Sequence, residues 1–131
     1  MASRQIFTPQ GQRHTSPIPQ GVIGGGFAFL SAIRGVDIET QKVPEDAEQQ
    51  VRNAFAVLSE TLKSFNASLS DVVRIGVYMK DLQGDRPVFN RVWKETFQDD
   101  PPARFAVQVQ DMGGPGDHSK FLLDVIAKVP E

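Results

Sequence analysis

The sequence predicts an α/β fold in which two helices pack on one face of a mixed sheet, with its elements in the order β-β-α-β-α-β-β. Three observations carry this. Two segments, 46–65 and 88–97, repeat apolar residues at the three-to-four spacing of a helical face. Five others read as strands, by alternation, by apolar runs, or by a glycine turn between them. The two kinds follow one another along 131 residues with no internal repeat and no dividing linker, so one domain spanning 1–131 with one core is expected.

Residues 1 to about 20 are polar and interrupted by Pro9, Pro17 and Pro19, which predicts an extended or irregular arm lying across the fold. Val22 and Ile23, the glycines Gly24 to Gly26, and the apolar run Phe27 to Ile33 read as a hairpin. Val51, Phe55, Leu58, Leu62 and Phe65 then form one helical stripe. Pro44, Glu45 and Asp46 suit the start of that helix, where proline needs no amide partner and negative charge meets the positive end of the dipole. Asn66 marks its stop.

After a short polar connection, Val73, Ile75, Val77 and Met79 alternate as a third strand. Asp81 to Pro87 reads as a loop opening a second helix, whose stripe is Val88, Phe89, Val92, Trp93 and Phe97. Pro101 and Pro102 exclude helix, Phe105 to Val109 alternates as a fourth strand, and Phe121 to Val129 follows a glycine-rich loop as the last. Two helices on one face leave the other bare. Phe27, Phe29, Ile33, Val107, Val109, Leu123 and Val125 are expected to supply apolar surface there, and self-association with closed symmetry is the simplest way to cover it.

Composition narrows the chemistry. Hydrophobic residues make up 40% and charged residues 23%, as in ordinary folded domains. The net charge of −2 comes from interspersed charges without a basic stripe, which argues against nucleic acid as a partner. There is no cysteine, so thiol nucleophiles and thiolate metal sites are excluded. No run is long and apolar enough for a membrane span or a secretory signal, so no membrane partner is expected and cytoplasmic residence is the default. His14 and His118 stand far apart in polar loops, and no metal is expected. Gly24 to Gly26 and Gly113 to Gly116 are read as turns, since neither precedes a helix whose N-terminus would bind phosphate.

Several local signatures, in this order, resemble the RidA/YjgF family. They are Gln20-Gly21, the FLSAIRG strand with Ser31, SLSDVVRIGVYMKDL at 68–82, Phe89-Asn90, PPAR at 101–104 followed by a strand, and the final LLDVIAKV. The resemblance runs from about Pro17 to Val129. It implies a chorismate-mutase-like fold, a homotrimeric barrel with pockets between subunits, and hydrolytic deamination of 2-imino or enamino acids without a cofactor. Arg104 matches the family's arginine, whose planar guanidinium takes a substrate carboxylate by two parallel hydrogen bonds. Asn90 and Ser31 match pocket positions and would orient the ligand.

The sequence also departs from the family. Ile18 stands where the N-terminal segment usually carries tyrosine, Phe105 and Ala106 follow the arginine where small polar residues are common, and Leu122 stands where a glutamate often places the attacking water. Asp124 would replace that glutamate only with a shifted register. These departures give the pocket a more apolar wall. They leave a second expectation open, a non-catalytic trimer that binds a small carboxylate. Ribonuclease activity, attached to some family members, fits poorly with the acidic balance.

Overall fold

The computed structural model describes residues 4–6 (backbone only), 18–112 and 117–131. Its strands are β1 (Arg4–Ile6), β2 (Gly21–Gly24), β3 (Phe27–Leu30), β4 (Ile33–Arg34), β5 (Val72–Met79), β6 (Ala103–Gln108) and β7 (Phe121–Lys128), and its helices are α1 (Ala47–Lys63) and α2 (Leu82–Phe97). They form one sheet in the order β1-β2-β3-β7-β5-β6, with the two-residue β4 also paired to β7. Among the described strands only β5 and β6 run parallel. A parallel neighbour needs a crossover, and α2 supplies it. The sheet is therefore mixed, as the sequence predicts.

The β2–β3 hairpin turns at Gly25 and Gly26, whose φ angles of 64° and 84° lie in the left-handed region that glycine enters without strain. Residues 4–6 of the arm add a strand at the edge of β2. The α1 helix starts at Asp46, whose carboxylate accepts the Gln49 amide at 2.9 Å. Past its end Asn66 takes a φ of 63°, consistent with the expected stop.

The second helix begins earlier than the sequence suggests. Asp81 accepts the Gly84 amide at 3.0 Å and caps a helix that opens at Leu82, so most of the expected 81–87 loop is helical. Gly84 permits this cap, because a Cβ there would stand 2.2 Å from the Asp81 carboxylate. Pro87 lies in the second turn of the helix, where its missing amide leaves the carbonyl of exposed Gln83 without a helical donor.

The core lies between the helices and one face of the sheet, and joins Val51, Phe55, Leu58 and Leu62 of α1 to Ile75, Val77, Phe121, Leu123 and Val125. Strict alternation along β7 puts Phe121, Leu123, Val125 and Ala127 inside and turns Leu122, Asp124 and Ile126 to the other face. This corrects the expected composition of the bare face. Ile33, Leu123 and Val125 belong to the covered side, whereas Phe27, Phe29 and Val107 stand 40–48% exposed on the other.

Candidate functional site

Among the described residues strand β6 ends the sheet and pairs only with β5, so its outer edge has no partner there. In that pairing Arg104 is level with buried Ile75 and faces the helix side. The guanidinium meets α2. Arg104 donates from one terminal nitrogen to Asn90 Oδ1 at 2.6 Å, and its central carbon lies 4.9 Å from the Trp93 ring centre and 5.1 Å from that of Phe89. Burial, and secondarily the nearby charge of Arg86, lower its pKa from the ordinary arginine value. The cation is partly desolvated, stacked on two rings and held by a neutral acceptor. Among the described residues no carboxylate pairs with it.

Phe105, the next residue, projects to the opposite face. Its ring covers Gly76 so closely that a Cβ there would fall 2.3 Å from it, meets Tyr78 edge-on at 5.9 Å, and carries Arg74 at 4.9 Å. Leu122 shares this face, level with Tyr78. So does Asp124, two residues on and opposite Gly76, with its carboxylate 4.0 Å from Arg74. Asp124 thus lies on Leu122's face without any shift of register, which corrects that expectation. Ser31 donates its hydroxyl to the Pro19 carbonyl at 2.7 Å and its amide to Gln20, tying the segment with exposed Ile18 to the end of β3.

The predicted site residues therefore separate. Arg104 and Asn90 are in contact beneath the sheet edge. Phe105 and Leu122 lie on the uncovered face, and Ile18 and Ser31 lie by β2 and β3. From β3 to β6 the sheet takes three steps, through β7 and β5. At roughly 4.8 Å per step this is on the order of 14 Å.

The model of the family described as Endoribonuclease L-PSP matches residues 13–129. A RutC family protein of Pyrococcus abyssi is 34% identical over 110 residues, covering 83% of this chain and 86% of that protein. This chain belongs to the RidA/YjgF family. A solved RidA from a Psychrobacter species superimposes with a TM-score of 0.86 at 26% identity, over 95% of this chain and 99% of that one. A probable translation initiation inhibitor from Rhodopseudomonas palustris does so with 0.88 at 26%, over 98% and 100%.

In this RidA/YjgF member the seat of Arg104 includes residues that sequence reasoning assigned to the core alone. Phe89 is fully buried and packs against Phe121 at 5.5 Å, yet its ring also carries the guanidinium. Asn90 and Trp93 stand one and two turns beyond Arg86, at i+4 and i+7 on the same helical face. That spacing was the available signal.

Elsewhere, a cleft of about 500 Å³ is lined by Lys80, Asp81, Asp85, Asp117, His118 and Lys120 among others, and none of the predicted site residues reaches it. Burial raises the Asp85 pKa there, with Lys120 opposing and Asp81 reinforcing the shift. Gln50, fully buried on α1, shapes this region by donating to the Pro44 and His118 carbonyls and accepting the Lys120 amide. His118 is exposed, and no group of three or more potential metal ligands occurs among the described residues. His14 and Gly113 to Gly116 lie outside the described residues. No described helix is long and apolar enough to cross a membrane.

Proposed function

We propose that the protein is a deaminase of 2-imino or enamino acids, acting as a homotrimer whose pockets form between subunits. The observation that carries this is Arg104: a partly buried guanidinium, seated on Trp93 and Phe89, bonded to Asn90 and paired with no carboxylate among the described residues. Desolvating a cation without an anion is unfavourable, so the site is built for an anion brought by a ligand. Arg104 would hold the substrate carboxylate. Asn90, already spending its oxygen on the guanidinium, would keep the fork aligned.

With the carboxylate fixed, water adds to the C=N carbon, the C–N bond breaks, and a keto acid and ammonia leave. Positioning and polarisation supply most of such a rate gain. No described strand of the chain pairs with the outer edge of β6, beside Arg104. A neighbouring copy would bring its own uncovered face, with Phe105 and Leu122, and the segment carrying Ile18 and Ser31. The exposed Phe27, Phe29 and Val107 give that face a reason to be covered.

Leu122 favours a second reading. It offers no oxygen to align water, and the nearest acid on its face, Asp124, is engaged by Arg74. A non-catalytic trimer that holds a small carboxylate would have this arrangement. One experiment separates the two. An amino-acid oxidase generates 2-iminobutyrate or 2-iminoleucine, semicarbazide traps what survives, and the protein is compared with Arg104→Ala. A deaminase lowers the trapped imine and the variant does not. If neither protein affects any imine while the native protein still binds keto acids, the binding reading replaces the enzyme. The assembly is tested separately by sedimentation of Phe29→Asp, which should dissociate if the uncovered face is the interface.

A further inference from the structure

The arginines among the described side chains divide into two groups. Arg34 pairs with Asp117 at 2.8 Å, Arg52 bridges Glu48 and Glu95 at 3.0 Å each, Arg74 stands 4.0 Å from Asp124, and Arg91 pairs with Glu48. Among the described residues, Arg86 and Arg104 have no acidic partner. These two are also close enough for the charge of one to perturb the other. Arg86 lies one helical turn before Asn90, on the side of α2 that meets Arg104. Asp85, its neighbour in sequence, is turned to the separate cleft, where Lys120 and Asp81 are the charges acting on it.

Two cations that repel each other, with no acid between them, make a poor arrangement for stability and a good one for a dianion. A ligand with one carboxylate satisfies Arg104 and leaves Arg86 unpaired. A ligand with a second carboxylate beyond its reacting carbon meets both and cancels the repulsion. Resting on the carboxylate reading of Arg104, we propose that the preferred ligand is a dicarboxylate, with Arg104 holding the carboxylate beside the C=N carbon and Arg86 holding the distal one. The substrate class is then 2-imino or enamino dicarboxylic acids. The reaction that supplies them must oxidise or eliminate on an acidic amino acid, or generate an unsaturated amino dicarboxylate. Exposed Arg86 is a specificity residue, and its replacement leaves the core untouched.

The test compares two keto acids of equal length, 2-oxoglutarate and 2-oxopentanoate, by calorimetric titration of the native protein, Arg86→Gln, Arg86→Lys and Arg104→Ala at low ionic strength. The native protein should bind 2-oxoglutarate about 10-fold more tightly, the scale of one partly solvated charge pair. Arg86→Gln should remove most of that preference while changing 2-oxopentanoate affinity far less, and Arg86→Lys should retain part of it. Added salt should compress the preference. Equal affinity for the two acids in the native protein overturns the inference, as does a preference that survives Arg86→Gln. In both cases Arg104-dependent binding of 2-oxopentanoate leaves the carboxylate site standing. If neither acid binds and Arg104→Ala changes nothing, the carboxylate reading itself falls and this inference falls with it. The same comparison extends to turnover, with 2-iminoglutarate from a glutamate oxidase set against a monocarboxylic imine.

Discussion

The two faces of the sheet differ in how far one chain completes them. On the helix side, β7 and β5 present an unbroken apolar layer to α1 and α2, and Gln50 satisfies both neighbouring carbonyls and an amide from within the chain. On the other face and along the β6 edge the chain stops short. Phe27, Phe29 and Val107 stand exposed, and Arg104 has ring and amide contacts without a counter-charge among the described residues. Arg34 sharpens the contrast, since it too is partly exposed but is matched by Asp117. What the chain finishes by itself holds it folded, and what it leaves unfinished is where the proposed ligand and neighbouring subunit would contribute energy.

Four measurements break or sharpen this contrast. The largest effect is expected in the finished layer. Leu58→Ala, at a fully buried position, should lower unfolding free energy by about 2–5 kcal/mol in urea titrations, because the cavity cannot fill completely. A loss well below that range would mean the helix-covered core is loosely packed. Next, Arg104→Ala should weaken turnover or keto-acid binding by about 100-fold, the scale of lost substrate alignment, while circular dichroism and thermal stability stay near native. A variant that unfolds instead would move Arg104 into the finished region.

Asp117 comes third. Burial pushes its carboxyl pKa up, but the contact with Ser119, whose amide donates at 2.8 Å, and then the charge and hydrogen bond of Arg34 outweigh that and hold it below the ordinary value. A depressed carboxylate adds stability above its unfolded pKa and loses it as pH falls through the folded one. Asp117→Asn should therefore cost about 1.5–3 kcal/mol at neutral pH, and the difference from native should shrink as pH falls below the ordinary carboxylate range. A pH-independent difference would contradict the charge assignment. Smallest is Asn90→Ala, which removes one hydrogen bond to the guanidinium. Ligand affinity should fall roughly 2- to 10-fold, with the stack on Trp93 keeping Arg104 near its place.

Much of this was legible in the residues. The stripe from Val51 to Phe65 and the alternation from Val73 to Met79 report burial directly, because the helical and strand periods project it onto the chain. PPAR, read through its family resemblance, pointed to Arg104. The start of α2 is not legible in the sequence because Pro87 looks like a boundary, while the deciding contact is the cap of Asp81, six residues before it, whose side chain accepts the Gly84 amide. The bare face was partly misassigned because an apolar run such as Phe121 to Val125 does not say which parity faces the helices.

By itself the sequence determined the order of the two helices and the five main strands, the family with the mixed sheet it implies, and the arginine to examine, since these depend on local period and on motifs contiguous in the chain. Only the tertiary structure decided which neighbours those residues meet. It turned Arg104 to the helix face and Phe105 to the uncovered one, separated Ser31 and Ile18 from Arg104 by three strand steps, and seated the guanidinium on Phe89 and Trp93 with Arg86 nearby. These are pairings across strands and between a strand and a helix. Strand register and helix docking create them, and no spacing along one segment encodes either.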